Sequence, residues 1–238
     1  MDFLNGVYAI ATTVPRGVNE TAPHRLVAGI AVPDTALAKE ARAIAMSDEL
    51  PEIYNHSLRT YLFSQLIAKA QNQQHDVEAV YVASILHDGG LSPKHMSSKY
   101  RFEVDGALVA KELLTRHDVH GSRAELVWDA ITLHDSSLAQ WKQPEVRLVS
   151  QGVNADFGAY LDLMKRDHIV AVLEEAPRHN FIPVFLEAVA AVAKKKPFAT
   201  GTCFVTDVAY RMVPGFHLDN FCDAVKDNPF AGYGPAGN

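Results

Sequence analysis

The sequence predicts an all-α protein, one helical bundle with irregular ends. Three observations predict it. Apolar residues recur at helical spacing, as in Tyr54, Leu58, Tyr61, Leu62 and Leu66. Helix punctuation separates these stretches, with Pro51, Pro144 and Pro183 near helix starts and Asp34, Asp76 and Asp167 at cap positions. Internal repeats, linkers and low-complexity segments are missing from the sequence, so a single domain is expected from 238 residues that are 48% hydrophobic.

Residues 1–33 form an irregular arm rich in glycine and proline, with a short strand expected near residues 7–14. Asp34 is the expected cap of a helix through Leu37, Ala38, Ala41 and Ile44. Pro51 opens the next helix, on which His56 stands beside the apolar stripe. Asp76 caps an almost wholly apolar helix, residues 77–86, that delivers His87-Asp88, and Gly89-Gly90 are expected to stop it in the left-handed conformation. The polar loop of residues 91–101 is expected over the mouth of a site.

A helix over residues 102–116 follows, with Val104, Ala107, Leu108, Val109 and Leu113 inward. Ser122 to Glu125 reads as a capping box for a helix carrying Val127, Ala130, Ile131 and His134. After Pro144, residues 145–155 place Val149, Gly152, Val153 and Asp156 on one face, Gly152 permitting a close approach. Further helices are expected over residues 168–175, 184–193, 202–212 and 218–226. The organisation predicted is an arm 1–33, a helical domain 34–227 and a flexible tail 228–238.

The net charge of -6 and pI near 6.0 argue against a nucleic-acid surface. Lys194 to Lys196 read as a set of charges at a helix C-terminus. Two cysteines, Cys203 and Cys222, outside any CxxC pattern point to a reducing compartment. With neither a signal-peptide pattern nor an apolar run long enough to cross a membrane, the chain is expected to be cytoplasmic, with a small molecule as its partner. Self-association is left open.

Four His-Asp pairs occur, and context separates them. His75-Asp76 and His117-Asp118 stand at polar helix boundaries where capping accounts for them, and His134-Asp135 ends an amphipathic helix. His87-Asp88 ends a fully apolar run, where an unpaired carboxylate would cost several kcal/mol, roughly 3–5. A divalent ion would neutralise it. An isolated His56 on an earlier helix and an isolated Asp156 on a later one complete a candidate set.

These residues carry a resemblance. Asn55-His56-Ser57-x-Arg59, Leu86-His87-Asp88-Gly89-Gly90-Leu91 and Gly152-Val153-x-x-Asp156 resemble the H…HD…D signature of the HD-domain superfamily of helical metalloenzymes. The segment Arg101-Phe102-Glu103-x-Asp105-Gly106-Ala107, the Ala130-Ile131-x-x-His134 segment and the entry Val32-Pro33-Asp34 are similar to its cyanamide hydratase branch, over about residues 30 to 225.

The resemblance implies that His56, His87, Asp88 and Asp156 bind one divalent metal, zinc in this branch, with iron or manganese as alternatives. Two imidazoles and two carboxylates without sulfur suit such a cation. It also implies hydration of a small nitrile-type substrate, cyanamide to urea, by hydroxide formed on the metal. Asp88 would bind metal and accept a proton, His134 would return it, and Glu103 is the alternative donor. Tyr54, Phe102 and Trp128 are expected to wall the pocket, with Lys94 and His95 reaching substrate from the loop. Rival readings are a phosphohydrolase acting on a nucleotide or other phosphomonoester through Arg59, Lys94 and Arg101, a dinuclear iron site using His95, His117, His120 and His134, and a metal-stabilised sensor without turnover.

Overall fold

The computed structural model describes residues 25–201, 203–218 and 220. The strand expected near residues 7–14, nearly all of the helix over 218–226 and the tail 228–238 lie outside them. Among the described residues the protein is all-α, nine helices with one two-stranded hairpin, β1 (Leu26–Val27) and β2 (Ile30–Ala31). Ala28 and Gly29 both have positive φ, 52° and 74°, as a tight hairpin turn requires. The Tyr61 hydroxyl donates to the Ala31 carbonyl at 2.7 Å and ties the hairpin to the bundle.

Helix α1 (Ala36–Asp48) is capped by Thr35, one residue after the expected Asp34, whose hydroxyl accepts from the Ala38 amide at 3.1 Å. Helix α2 (Pro51–Ala70) begins on its proline, and α3 (Val77–Leu86) on the Asp76 carboxylate, which accepts from the Ala79 amide at 3.0 Å. Then come α4 (Phe102–Arg116), α5 (Gly121–Thr132), α6 (Pro144–Asp156), α7 (Arg166–Glu175), α8 (Phe181–Lys195) and α9 (Phe204–Met212). Helix α5 begins before Ser122, without a side-chain cap, so the expected capping box is not used. Helix α8 begins before Pro183, because a proline in the first turn removes no intrahelical hydrogen bond. Leu108 of α4 is exposed; the inward face is Gly106, Ala107, Ala110, Leu113 and Leu114.

Helix α3 is buried from Ala79 to Leu86 within the main core, where α2, α5 and α6 surround it. A second apolar cluster, including Phe102, Phe181, Phe185, Val189 and Val205, joins α4, α8 and α9. Lys196, expected among the cations of a helix end, is fully buried with its Nζ 2.5 Å from Asp105 Oδ2. The Ser97 amide donates to the same oxygen at 2.9 Å, so the pair pins the 91–101 loop and the end of α8 to α4.

Two glycine contacts set the helix spacing. A Cβ on Gly152 would lie 2.2 Å from the Thr60 carbonyl oxygen, so α6 meets α2 backbone to backbone. Gly152→Ala is therefore expected to destabilise the fold by about 1–3 kcal/mol or more, read as a lower urea midpoint. Gly89 and Gly90 do not take the expected left-handed conformation; with Leu91 they form a 3₁₀ turn. At Gly90 the reason is proximity: a Cβ there would sit 1.9 Å from the Phe102 carbonyl oxygen, and one on Gly106 2.9 Å from the carbonyls of Leu86 and His87, whereas one on Gly89 would meet nothing nearer than 3.8 Å. Among the described residues no helix is long and apolar enough to cross a membrane.

Candidate metal centre

Helix α3 ends at Leu86, and the 3₁₀ turn that follows resolves the problem of two adjacent side chains reaching one point. His87 keeps helical dihedrals while Asp88 moves to φ -97°, ψ 7°, so the two no longer diverge as helical neighbours. The close approach of α4 at Gly90 and Gly106 holds that turn.

His87 Nδ1 lies 2.7 Å from the Ser84 carbonyl oxygen, and His56 Nδ1 2.7 Å from Asp156 Oδ2. Both oxygens accept, so both Nδ1 atoms carry the hydrogen and both Nε2 atoms present lone pairs. Those Nε2 atoms face each other at 3.3 Å, and Asp88 Oδ2 stands 3.4 Å from that of His87 and 3.7 Å from that of His56. All three residues are buried, and Asp88 Oδ2 has no hydrogen-bond partner. Burial pushes the His87 imidazole down to about 3, against the pull of Asp88, so the ring is neutral.

Two lone pairs and an unsatisfied carboxylate oxygen converging in a dry place is an arrangement that repels itself unless a cation sits among them. Ligands about 2.1 Å from a tetrahedral ion stand roughly 3.4 Å apart, close to the three spacings found. The donor set fits a divalent metal, and His56, His87 and Asp88 are the residues that would hold it.

Asp156, expected as the fourth ligand, is not brought into this group. It lies on the Nδ1 side of His56, where Arg59 grips it with two bonds of 2.8 Å and Arg178 adds a third contact. The physical reason is charge: a buried guanidinium one turn from His56 needs a carboxylate more than the lone pairs need a second one. Burial opposes the ionised form of Asp156, but the hydrogen bonds from His56 and Arg59 more than offset it and hold the carboxyl well below the usual range. Asp156 therefore sets the tautomer and orientation of His56.

His134 stands next to the group, its ring 4.7 Å from that of His87 and its Nε2 3.9 Å from Asp88 Oδ1. Its Nδ1 donates to the Ile131 carbonyl at 2.7 Å, leaving the Nε2 lone pair free. Glu103 is buried but turned to Arg101 and does not line the cavity beside the group. Burial raises its carboxyl. It also gathers with Asp135 and Cys203, where Arg101 already balances the acidic charge.

That cavity encloses about 500 Å³ and reaches His56, His87, Asp88 and His134. Its apolar wall is Val153, Phe157, Ile182, Phe185, Leu186 and Phe204. Of the expected walls, Tyr54 instead bonds Arg42, Trp128 packs against Lys111, and Phe102 touches the His134 ring edge-on from behind. Lys94 and His95 are both held by Asp48 at 2.8 Å and do not line the cavity. Sequence reasoning also passed over Glu49, whose carboxyl oxygens are both buried without a partner. Burial, then the nearby Asp88 and Asp48, push it well up toward its neutral form. It sits between α1 and Pro51, outside any helical period that could mark it.

Residues 53–151 match the HD domain family. His56, His87 and Asp88 fall within the matched stretch, and Asp156 lies just past it. The chain is similar to two proteins of Saccharomyces cerevisiae, cyanamide hydratase DDI2 and cyanamide hydratase DDI3. Each is 26% identical over 211 residues, which cover 84% of this chain and 93% of the relative. The likeness carried by the motifs, to HD-domain metalloenzymes and to their cyanamide hydratase-like branch, is borne out.

Proposed function

We propose that the chain is a metal-dependent hydratase that adds water across the carbon–nitrogen triple bond of a small nitrile-type substrate, cyanamide giving urea being the reference reaction. The observation that carries the reading is the convergence of His56 Nε2, His87 Nε2 and Asp88 Oδ2 beside the free Nε2 of His134, at the end of an apolar cavity. Zinc is the metal proposed, from two imidazoles and a carboxylate.

A divalent ion held there supplies Lewis acidity, which brings the pKa of a water from 15.7 to about 7. His134 Nε2 takes a proton from the attacking water as its oxygen bonds to the nitrile carbon. One carbon–nitrogen π bond is replaced by N–H as His134 returns that proton to nitrogen, and the remaining O–H proton moves to nitrogen to give the amide or urea. Asp88 Oδ1, 3.9 Å from His134 Nε2, stabilises the imidazolium between these transfers.

Particular contacts weigh against the rivals. Arg59, Lys94 and Arg101, which a phosphohydrolase would turn to phosphate, are committed to Asp156, Asp48 and Glu103. Of the four histidines open to a second metal, His95, His117 and His120 pair with Asp48, Glu40 and Asp118. The test is urea formation from cyanamide by purified protein, with metal content measured on the same sample. Phosphate release from a nucleotide panel without any urea would sink the proposal. His134→Gln is expected to lower kcat by about 10²–10⁴-fold while metal content is retained; loss of the metal with the activity would make His134 a ligand instead.

A further inference from the structure

We infer that the physiological substrate is larger than cyanamide: a substituted nitrile or cyanamide whose other end is an apolar group about the size of a phenyl ring. The inference rests on the hydratase reading and concerns what else the same cavity holds. Cyanamide has three non-hydrogen atoms and displaces the volume of about two waters, roughly 60 Å³. The cavity encloses about 500 Å³. That is the size class, roughly 300–1,000 Å³, that surrounds a drug-sized ligand.

Beyond the candidate metal centre the lining is mainly apolar, with Asp135 and Asn154 as its polar members. Val153, Phe157, Ile182, Phe185, Leu186 and Phe204 make up the apolar part, and Phe185 stacks on Phe204 at 5.9 Å with 17° between the rings. Phe157 meets Phe185 at 5.5 Å and His56 at 5.6 Å, so the aromatic wall continues up to the candidate metal centre. Phe157 and Ile182 are 48% and 43% exposed, large apolar side chains left in contact with solvent beside a cavity. Water against such a wall is poorly bonded, and an apolar group that displaces it gains affinity. A substrate with its nitrile at His56, His87 and Asp88 and its apolar end on the Phe185–Phe204 wall uses both parts of the cavity.

The test compares phenylcyanamide with cyanamide on the metal-loaded protein, by urea and phenylurea formation and by thermal shift. A single added methylene in a hydrophobic pocket is worth about 10–200-fold in kcat/KM. Phenylcyanamide is therefore expected to exceed cyanamide by at least about tenfold, mainly through KM, and Ile182→Trp or Leu186→Trp, which fill the cavity, to lower that ratio by about tenfold. A smaller preference, or a ratio that neither tryptophan moves, would overturn the inference while leaving the hydratase reading in place. If neither compound is hydrated, the hydratase reading fails and thermal shift decides the cavity: stabilisation by phenylcyanamide but not cyanamide, lost in Ile182→Trp, upholds an apolar ligand, and no stabilisation overturns it.

Discussion

Replacing His87 by alanine is expected to reduce metal content from about one ion per chain to near none and to abolish hydration. His87 is fully buried, its Nδ1 hydrogen fixed on the Ser84 carbonyl, so its Nε2 lone pair points at the group without conformational freedom. Its removal leaves two of three donors, and Asp88 Oδ2 loses a neighbour that shared its need for a cation. Removing even an orienting partner of a metal ligand costs about 10–100-fold in affinity or activity; deleting a ligand should cost more than about 100-fold in kcat/KM. Metal that binds only the folded state stabilises it, by about 2.7 kcal/mol at a hundred times the dissociation constant. Chelation should therefore lower the melting temperature of the natural protein and leave that of His87→Ala unmoved. A His87→Ala protein that keeps its metal would remove His87 from the site.

Much of this arrangement was legible in the sequence, because its main signals are local. The apolar run of α3 and the Asp76 cap specify a buried helix, and a buried helix that ends in His-Asp specifies a need for charge compensation. Gly152 announces a close helix contact by its residue type alone, and the Thr60 carbonyl is where that contact falls. Gly90 was legible as a requirement but not as a cause: one residue type answers both a left-handed turn and a crowding backbone, and the crowding backbone of Phe102 comes from a helix twelve residues on. The allotment of Asp156 was hidden for a related reason. Arg59 and His56 are one turn apart on α2, and which of them takes the carboxylate depends on the depth at which α6 crosses, a tertiary quantity. The cavity wall was least legible, since Phe185 and Leu186 on α8 carry the same pattern whether the helix covers core or pocket.

Asp156→Asn is expected to unfold the protein more readily by about 3–5 kcal/mol, the cost of leaving a buried charge without its partner. The Arg59 side chain is wholly buried, donates through Nε and Nη2 to the two carboxylate oxygens at 2.8 Å each, and spends Nη1 on the Ala176 carbonyl at 3.0 Å. An asparagine offers one acceptor and one NH₂, so one Arg59 N–H would face another donor and the guanidinium would keep its charge uncompensated. The acid limb of stability supplies an independent readout. A carboxyl held below its unfolded value of about 3.9 binds its proton less readily folded than unfolded, so its contribution is complete above that pH and is lost as pH falls below it. The natural protein should therefore lose stability below about pH 4 more steeply than Asp156→Asn, by urea midpoints taken across that range. Metal affinity should fall by about 10–100-fold, since His56 loses the group that fixes its Nδ1 hydrogen. A variant that keeps its stability and its acid slope but loses the metal altogether would make Asp156 the fourth ligand and Arg59 the bystander.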